Sequence, residues 1–365
     1  MRQTDVKLVD QLKPGARILA LRLDTLGDCV LASSFFIGLR RLFPHAHLTA
    51  AFNWLTAPLF EACPLFDRLI AVPVGTGESW GALLEPPYDA MICPRWDVDP
   101  WATRRFALMA EAPIRIGFDR GPYRYDEPHD GWAGAYFTHL ARTRSDLHEV
   151  LKGKALLEFL GDTEPAPDPR LWIARETAGW AEDFLHSKGI GRCVVLTVQA
   201  GWGRRVWPVA NFLPVIDALL AAEPDLRFVV IGAEDAAASG RWLQQQRSGS
   251  VLNVTGTLPL MKTAALIARA SLYVGMDTGP MHLAAAAGVP VVEISCHPMT
   301  GGADHPNSPS RFGPYATPSR VLRPARPLPP CTDGCNAVRQ PHCITQVPAS
   351  TVAEAALALL EQAST

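Results

Sequence analysis

The sequence has little excess charge and no long apolar run, and these two absences exclude whole classes of function. Its 34 lysine and arginine residues nearly balance its 36 aspartate and glutamate residues, so the formal net charge is −2. Proteins that bind nucleic acids through the phosphates depend on a marked excess of basic side chains. No segment approaches the roughly 18–20 uninterrupted apolar residues of a membrane helix. We therefore expect no general nucleic-acid binding and no spanning helix.

Two recognisable sequence signals are also missing. The amino-terminal stretch MRQTDVKLVDQLKPGARI mixes both charge signs and lacks the apolar core of a signal peptide. A cytoplasmic protein is expected on this basis, with contact to a membrane surface left open. No glycine fingerprint of the GxGxxG type follows the first predicted strand, which disfavours a nicotinamide-dependent dehydrogenase.

The chain does contain enough apolar material for two domains, since 48% of its 365 residues are hydrophobic and 19% are charged. Short apolar runs alternate with helical patterns, which is typical of parallel sheets covered on both faces. The stretch GDTEPAPDPRLWI interrupts this rhythm, and prolines fit poorly in helix interiors and central strands. We predict an α/β fold with an amino-terminal domain over residues 1–165, a carboxyl-terminal domain over 170–348 and a closing helix over 349–365.

Two local predictions concern the connections between strands. The segment from Trp54 to Ala62 is predicted to form a helix after the second strand. The proline-rich stretch from Pro298 to Pro330 is predicted to be an ordered but irregular surface loop.

The passage ASLYVGMDTGPMHLAAAAGVPVV is the most informative for function. A buried strand ends at Met276, and Asp277, Thr278 and Gly279 lead into a helix with Pro280 in its first turn. Open α/β sheets bind ligands at the carboxyl ends of strands, and the amide groups at a helix amino terminus favour an anion such as a diphosphate. These residues alone favour about equally the alternative that Asp277 or Thr278 only caps the helix.

Two further features in the same half support a nucleotide diphosphate. The loop QAGWGRRVWP carries Gly201, Arg204 and Arg205, and a guanidinium group suits a leaving diphosphate because it donates two parallel hydrogen bonds. A solvated arginine pair is the alternative. Glu234, in RFVVIGAED, is the type of carboxylate that accepts hydrogen bonds from ribose hydroxyls. His282, one turn into the helix of the preceding motif, has packing within that helix as its simpler explanation.

Asp28 stands at the head of the first predicted helix, in the tripeptide LGD. A sugar acceptor hydroxyl loses its proton as the new bond forms, and a positioned carboxylate can take that proton. The amino end of a helix lowers the proton affinity of such a carboxylate and would keep it ionised at neutral pH. An ordinary carboxylate in the first turn of a helix is the alternative.

These motifs together resemble the heptosyltransferase-like family of inverting glycosyltransferases, glycosyltransferase family 9. The matching segments are LALRLDTLGDCVLA, YVGMDTGPMHLAAAAGVPVV, the arginine loop and IGAE, supported by FPHAHLTAAF, RIGF and DLHEVLKGKALLEFLG. The resemblance implies the GT-B architecture, in which two Rossmann-like doubly wound domains face each other across an inter-domain cleft. It also implies a role for each matched residue: Asp28 as catalytic base, Arg205 at the donor diphosphate, Glu234 at the ribose, and Asp277, Thr278, Gly279 and His282 lining the donor site.

Three departures from the family pattern bear on the sugar and the acceptor. Asp24-Thr25 stand where relatives carry two serines, and Ser33-Ser34 replace a Thr-Pro inside the first helix. The run from Cys296 to Thr300 replaces a Gly-Pro-Thr near the phosphates. The resemblance therefore implies a nucleotide diphosphate sugar as donor, ADP-heptose or another, and lipopolysaccharide core or another surface glycan as acceptor.

Arginines crowd one part of the amino-terminal half, and Arg120 and Arg124 are the candidate acceptor contacts among them. An acidic or phosphorylated glycolipid would suit such a patch, although scattered solubilising charge explains it equally well. Asp97-Val98-Asp99 has the spacing of a metal-binding DxD motif. It is far in sequence from the donor features, so we interpret it as a surface turn and expect transfer without a metal cofactor.

The cysteines Cys331, Cys335 and Cys343 are clustered near His342, in CTDGCNAVRQPHC. Three thiolates and an imidazole could hold zinc or iron tetrahedrally. The spacing is untidy, because adjacent His342 and Cys343 seldom bind one ion together. A few members of the family bind iron through such cysteines, but reduced structural cysteines are the favoured interpretation.

Two other functions stay open beside glycosyl transfer. A nucleotide-sugar epimerase of similar architecture would convert the donor without any acceptor. A non-catalytic sugar-nucleotide-binding protein would hold the donor and transfer nothing. The sequence favours a metal-independent glycosyltransferase acting at the cytoplasmic face of the inner membrane.

Overall fold

The computed structural model describes residues 12–73, 80–85, 87–96, 108–119, 136–332 and 334–362. The chain forms two compact units, Met1–Trp172 and Ile173–Thr365, which divide at the end of the interrupting stretch GDTEPAPDPRLWI. Each unit is built on its own sheet of six strands, and the paired strands of both sheets are parallel. The predicted α/β fold of two doubly wound sheets is confirmed.

The first unit has the strand order β3-β2-β1-β4-β5-β6. Its elements are β1 (Arg17–Arg22), α1 (Leu26–Leu42), β2 (His47–Asn53), β3 (Arg68–Val72), β4 (Ala90–Ile92), β5 (Ile114–Phe118), β6 (His139–Ala141) and α2 (Glu149–Leu160). Two short 3₁₀ turns, Ala57–Phe60 and Trp80–Leu83, lie beside β3.

Local chemistry explains where the first elements begin and end. β1 is an apolar run between two arginines, and its residues after Arg17 are buried. α1 ends two residues before Pro44, whose ring cannot enter a helix interior. Arg40 and Arg41 occupy the last turn of α1, where the helix dipole favours positive charge.

Aromatic rings fill the core on one side of the first sheet. The rings of Phe52 and Phe60 stack with centroids 4.0 Å apart, and Phe36 meets Phe52 edge-on at 5.4 Å. α1 also packs closely against α2, because Gly38 of α1 faces the buried side chain of Leu157. A Cβ on Gly38 would overlap Leu157 Cδ1, so the absence of a side chain lets the two helices approach.

The second unit has the strand order β12-β11-β10-β7-β8-β9. Its elements are α3 (Arg175–Ser187), β7 (Cys193–Thr197), α4 (Phe212–Ala222), β8 (Arg227–Ile231), α5 (Ala237–Gln246), β9 (Val251–Asn253), α6 (Leu260–Ile267), β10 (Leu272–Met276), α7 (Gly279–Ala286), β11 (Val291–Ile294), α8 (Pro309–Phe312), β12 (Ser319–Leu322) and α9 (Ala349–Gln362).

The central strands of this sheet are buried on both faces, since every residue of β7 and β10 is buried. The terminal helix α9 packs against α4 and carries Val352, Ala356 and Leu359 into the same core. α9 therefore belongs to the fold of the second unit.

Two local predictions were wrong. Trp54–Ala62 does not form a helix: only the 3₁₀ turn Ala57–Phe60 appears, because Asn53 ties the chain into a turn by accepting from the Leu55 amide at 3.0 Å. The stretch from Pro298 to Pro330 is not wholly irregular either. It contains α8 and the edge strand β12, which pairs with β11 although SRVL lacks an apolar run.

The segment Gly203–Ala222 is long and apolar enough, by composition, to be compared with a membrane span. It is not one continuous α-helix, because two 3₁₀ turns, Gly203–Arg205 and Val209–Asn211, precede α4. α4 itself directs apolar side chains into the core of the second unit, namely Phe212, Val215, Ile216 and Leu219. These are the contacts of a core helix.

The strand order creates one reversal point in each sheet. In the first sheet β1 and β4 are neighbours, and in the second β7 and β10 are neighbours. The connections that follow two such strands run off in opposite directions and leave a crevice at the carboxyl edge, where open parallel sheets bind their ligands. The loops after β1, β4, β7 and β10 are therefore the places to look for function.

Replacing Gly38 by alanine is expected to destabilise the first unit, because the new methyl group would overlap Leu157 between α1 and α2. Overpacking at such a buried contact typically costs about 1–3 kcal/mol. Gly179→Ala in α3 is the matched control, since nothing lies within 4 Å of a Cβ there. Alanine should favour that helix by roughly 0.5–1 kcal/mol. Denaturant unfolding measures both, and an unchanged midpoint for Gly38→Ala would contradict the packing argument.

Candidate functional site

The crevice of the second sheet brings two of the predicted loops into contact. The loop after β7 ends in the 3₁₀ turn Gly203–Arg205, and the loop after β10 begins at Asp277. One terminal nitrogen of Arg205 lies 3.0 Å from Asp277 Oδ2 and donates to the Asp277 carbonyl at 3.3 Å. The other donates to Asn307 Oδ1 at 2.7 Å. A partly buried guanidinium is thus held next to the amino end of α7.

Thr278 occupies the N-cap position of α7, but its hydroxyl makes no capping bond. It lies 3.3 Å from the Met276 carbonyl, to which it donates, and 3.3 Å from the Tyr273 hydroxyl. Tyr273 in turn bonds the hydroxyl of Thr197 on β7. Side-chain capping by Thr278, the simpler explanation, is therefore not what the structure has, and this side chain leaves the positive end of α7 uncovered.

Buried titratable groups surround Asp277. His282 is 4% exposed, and its Nε2 lies 3.8 Å from Asp277 Oδ1. Burial lowers the pKa of His282 to about 4, against the opposing charge of Asp277, so the ring is neutral at neutral pH. Glu293 on β11 is 1% exposed, and burial followed by the charge of Asp277 raises its pKa well above the usual range. The ion pair of Arg205 and Asp277 therefore sits beside a neutral imidazole and a carboxyl group whose proton affinity is raised.

Glu234 lies at the same edge of the sheet as Arg205, because it follows β8, the parallel neighbour of β7. It is exposed and begins the 3₁₀ turn Glu234–Ala236. Gly256 approaches it closely, since a Cβ on Gly256 would overlap Glu234 Oε2. Gly256 also has φ +70°, a conformation that favours glycine. The loop after β9 thus makes room for the carboxylate at Glu234.

The remaining predicted donor residues are placed as follows. Gly279 is the first residue of α7. Gly201 is exposed, with open space where a Cβ would be. The Arg204 guanidinium lies over the Trp202 ring, 5.0 Å from its centroid. Of the two adjacent arginines, Arg205 contacts Asp277 and Arg204 stacks on an exposed indole.

In the first unit, Asp28 lies in the first turn of α1, at the crevice between β1 and β4. Its Oδ2 accepts a hydrogen bond from the Thr25 hydroxyl at 2.6 Å. Its Oδ1 lies 3.5 Å from a terminal nitrogen of Arg22, the last residue of β1. The side chain of Asp28 is 24% exposed. The carboxylate is thus oriented by two neighbours and still reaches solvent.

Arg22 links the two loops at this crevice. It pairs with Asp24 at 2.5 Å and donates to the Pro94 carbonyl, after β4, at 2.5 Å. Arg95 also pairs with Asp24. Arg22 and Asp24 are almost fully buried, so their charges depend on each other. Arg22 and Arg95 were not predicted as site residues, although Arg22 is a charged residue in an otherwise apolar strand.

A recess beside Asp28 is lined by Glu149 and Gly153 of α2, together with Arg22, Phe35 and Pro94. Lys152 Nζ donates to Glu149 Oε1 at 2.6 Å, and both side chains are buried. The same ammonium lies 4.1 Å from the centroid of the Trp96 ring. The sequence reasoning also missed this pair, whose only sequence signal is two opposite charges three residues apart in a helix.

The two serines that depart from the family pattern have a structural role. Ser34 Oγ donates to the Pro167 carbonyl at 2.5 Å, and Ser33 Oγ accepts from the Arg170 amide at 2.8 Å. They hold residues 167–170 of the stretch GDTEPAPDPRLWI against α1.

Arg120, Arg124 and the turn at Asp97–Asp99 lie outside the described residues.

The clustered cysteines come together with the neighbouring histidine. Single ligand atoms of Cys331, Cys335, His342 and Cys343 all lie within 4.8 Å of one another. His342 Nδ1 is 3.4 Å from Cys343 Sγ and 3.7 Å from Cys331 Sγ. Whether adjacent His342 and Cys343 bind one ion together stays an open part of the prediction, since proximity alone does not test it.

The sequence model of glycosyltransferase family 9 (heptosyltransferase) matches residues 99–332, more than half of the chain. The chain belongs to this family. The predicted family and enzyme class, a glycosyltransferase, are therefore confirmed. The matched range of this chain contains the loop after β7, which carries Arg205, and the loop after β10, which begins at Asp277. It does not include Asp28.

Known proteins similar to the chain agree with this membership. Lipopolysaccharide heptosyltransferase 3 of Escherichia coli (strain K12) is 24% identical over 293 residues, which cover 76% of this chain and 80% of the relative. A solved glycosyl transferase family 9 structure from Veillonella parvula DSM 2008 has a TM-score of 0.77 at 22% identity, covering 96% of this chain and 99% of that one. The E. coli ADP-heptose LPS heptosyltransferase II has a TM-score of 0.71 at 17% identity, covering 96% and 100%.

A more distant structure is the iron-containing dodecameric glycosyltransferase TibC from enterotoxigenic E. coli H10407. Its TM-score is 0.53 at 14% identity, and the match covers 97% of this chain and 78% of that one. Together these structures confirm the predicted GT-B fold.

Acidification from pH 6.5 towards 4 is expected to destabilise the second unit through His282. Burial lowers the pKa of His282 from 6.5 to about 4, so between these values the unfolded chain binds a proton that the folded chain does not. The free energy of unfolding therefore decreases as the pH is lowered through this range. The shift corresponds to roughly 3 kcal/mol. His282→Gln should weaken this dependence in urea unfolding without abolishing it, because burial also lowers the pKa of His297 to about 4. His186→Gln, in the exposed last turn of α3, should preserve it. Parallel pH profiles for the His282 variant and the wild type would contradict the assignment.

Proposed function

We propose that the protein transfers a heptose from ADP-heptose, or from a closely related nucleotide diphosphate sugar, to a lipopolysaccharide-core acceptor. The observation that carries the proposal is the contact between Arg205 and Asp277 beside the amino end of α7, in a chain of glycosyltransferase family 9. A cation and a helix dipole at one point suit a diphosphate. The names of the curated relative and of the ADP-heptose LPS heptosyltransferase II support the sugar, the nucleotide and the acceptor.

The second unit is proposed to hold the donor. Arg205 and the backbone amides at the start of α7 would stabilise the negative charge that develops on the departing diphosphate. Gly201 would leave the loop after β7 open to the phosphates, and Glu234 would accept hydrogen bonds from the ribose hydroxyls. Since a guanidinium and amides supply the positive charge, we propose that the transfer step uses no divalent metal.

The first unit is proposed to hold the acceptor and the base. Asp28 would take the proton from the acceptor hydroxyl as that oxygen attacks the anomeric carbon from the side opposite the diphosphate, which inverts the configuration. The hydrogen bond from Thr25 and the nearby Arg22 orient this carboxylate. Glu149, fixed by Lys152, would offer a second carboxylate to the acceptor in the recess beside Asp28.

The place of action and the acceptor contacts belong to the same proposal. Because a glycolipid acceptor lies in a membrane, we propose that the enzyme works at the cytoplasmic face of the inner membrane, in peripheral contact with it. Arg120 and Arg124 are proposed to bind the acidic groups of that acceptor. The nucleotide-sugar epimerase stays the alternative function, and conversion of the donor in the absence of any acceptor would favour it.

Asp28→Asn is expected to abolish most transfer while leaving donor binding intact. Removing a general base typically costs about 10²–10⁴-fold in rate. The asparagine keeps the size of the side chain and its hydrogen bond to Thr25, so the affinity for ADP should stay at the wild-type value. Single-turnover transfer and calorimetric titration with ADP measure the two quantities. Wild-type turnover in this variant would remove Asp28 as the base.

Arg205→Ala is expected to weaken ADP binding about tenfold to a hundredfold, the usual range for losing a charged hydrogen bond. Arg204→Ala is the matched control, because the Arg204 guanidinium lies over Trp202 and not at Asp277. The control should bind ADP with nearly wild-type affinity. Equal losses in the two variants would contradict the separate roles of these adjacent arginines.

A further inference from the structure

Three hydroxyl groups form a continuous chain of hydrogen bonds next to the amino end of α7. Tyr273 of β10 bonds Thr197 of β7 on one side and Thr278, at 3.3 Å, on the other. Tyr273 is 0% exposed and Thr197 is 2% exposed, so water offers neither hydroxyl an alternative partner. The proposed transfer step gives Tyr273 no task, although its hydroxyl contacts the N-cap residue of the donor helix.

Gly275 makes room for this chain of hydroxyl groups. Tyr273 and Gly275 are two residues apart on β10, so they face the same side of the sheet. A Cβ on Gly275 would overlap Thr197 Oγ1 and would lie 2.7 Å from the Tyr273 hydroxyl oxygen. Because Gly275 carries no side chain, the tyrosine hydroxyl occupies this space and meets Thr197 across the two strands.

The direction of each hydrogen bond follows from the number of protons. A hydroxyl group has one proton to donate and accepts at its lone pairs. Thr278 donates its proton to the Met276 carbonyl at 3.3 Å, so the proton between Thr278 and Tyr273 comes from Tyr273. The proton between Tyr273 and Thr197 then comes from Thr197. Burial raises the pKa of Tyr273 above its usual value, so the phenol keeps the proton that it donates.

The Thr278 side chain is held in a position other than the usual one for its place in the helix. A threonine at the N-cap ordinarily accepts from the amide two or three residues into the helix. The second residue of α7 is Pro280, which has no amide hydrogen, so the Met281 amide is the donor that a capping hydroxyl would use. In the structure that amide donates to the Thr278 carbonyl at 3.0 Å, and the Thr278 hydroxyl makes no capping bond. The bonds to Tyr273 and Met276 account for the difference.

An uncapped helix end matters for the donor. A capping side chain places its oxygen over the amides of the first turn, which is where a phosphate oxygen binds at a helix amino terminus. A capping threonine and a diphosphate would therefore compete for the same amides. Arg205, 3.0 Å from Asp277 Oδ2, supplies positive charge at this end of α7. With the Thr278 hydroxyl held away, the amides stay available to an anion beside Arg205.

We propose that Tyr273 is a positioning residue for the donor: its hydroxyl holds the Thr278 side chain off the first turn of α7 and so keeps the backbone amides of that turn open to the diphosphate. Tyr273 does not touch the donor, because its side chain is buried in the sheet. This role rests on the proposed function, since it requires the diphosphate to lie at this helix end. The position of Thr278 can be measured with no donor present.

The affinity for ADP tests this role. Tyr273→Phe keeps the ring and removes the hydroxyl, so Thr278 becomes free to cap α7. ADP should then bind about threefold to tenfold more weakly, the factor that corresponds to losing one ordinary hydrogen bond. Tyr88→Phe is the matched control, because it removes a buried tyrosine hydroxyl in the first unit, which accepts from the Glu85 amide, and it should bind ADP like the wild type. Calorimetric titration measures both, and wild-type affinity in Tyr273→Phe would overturn the positioning role.

A second substitution separates positioning from a general loss of packing. Thr278→Ala has no hydroxyl to hold, so adding Tyr273→Phe to it should weaken ADP binding no further. The four proteins form a double-mutant cycle, which measures the coupling of two residues in contact, whether or not Thr278 itself touches the donor. If Tyr273→Phe weakens ADP binding equally in both backgrounds, Tyr273 acts through the packing of the sheet and the positioning role is wrong.

Crystal structures give a measurement that needs no donor. In ligand-free Tyr273→Phe, Thr278 Oγ1 should move to hydrogen-bond distance of the Met281 amide nitrogen, about 3 Å. An unmoved Thr278 would overturn the role of Tyr273 and leave the proposed donor intact. If the variant does not fold, the wild-type complex with ADP decides: a Thr278 that still bonds Tyr273 beside a bound phosphate supports the role, and a capping Thr278 overturns it. Wild-type protein with no affinity for ADP would contradict the proposed function, and the positioning role with it.

Discussion

The contact between Arg205 and Asp277 depends on β7 and β10 being parallel neighbours in one register. Leu272 pairs with Val194 and Val274 pairs with Leu196, so both strands end at the same edge and their loops meet there. A slip of one residue would displace one loop by about 3.3 Å, more than the 3.0 Å between Arg205 and Asp277. The hydroxyls of Tyr273 and Thr197 bond across the same two strands. The apolar packing of the sheet thus sets the position of the guanidinium.

Much of this arrangement could be predicted from the sequence, because its causes are local. The central strands are continuous apolar runs, and the loops that follow them carry Asp28, Arg205 and Asp277 at positions fixed by the chain itself. The family resemblance gave each of these residues a role. The order of strands then places each residue at a crevice, since a doubly wound sheet has its reversal point beside its first strand. The roles of the residues still rest on the variants described above.

The remainder could not be predicted, because it depends on contacts between distant parts of the chain. Arg95 meets Asp24 across neighbouring strands, and Asn307 joins Arg205 to Cys335 although the three are far apart in sequence. β12 was missed because edge pairing, and not an apolar run, makes SRVL a strand. The pKa of the buried Glu293 is raised by its surroundings, which composition does not reveal.

Each unit has its own complete sheet, its own apolar core and its own reversal point. Under the proposed function, in which the second unit holds the donor, loops in the first unit would be able to diverge during evolution while the nucleotide site is kept. Asp24-Thr25, which depart from the family pattern, illustrate this, because Asp24 pairs with Arg22 and Thr25 donates to Asp28 within the first unit. On that assignment, a fold divided in this way would allow one inherited donor to be used with different glycan acceptors.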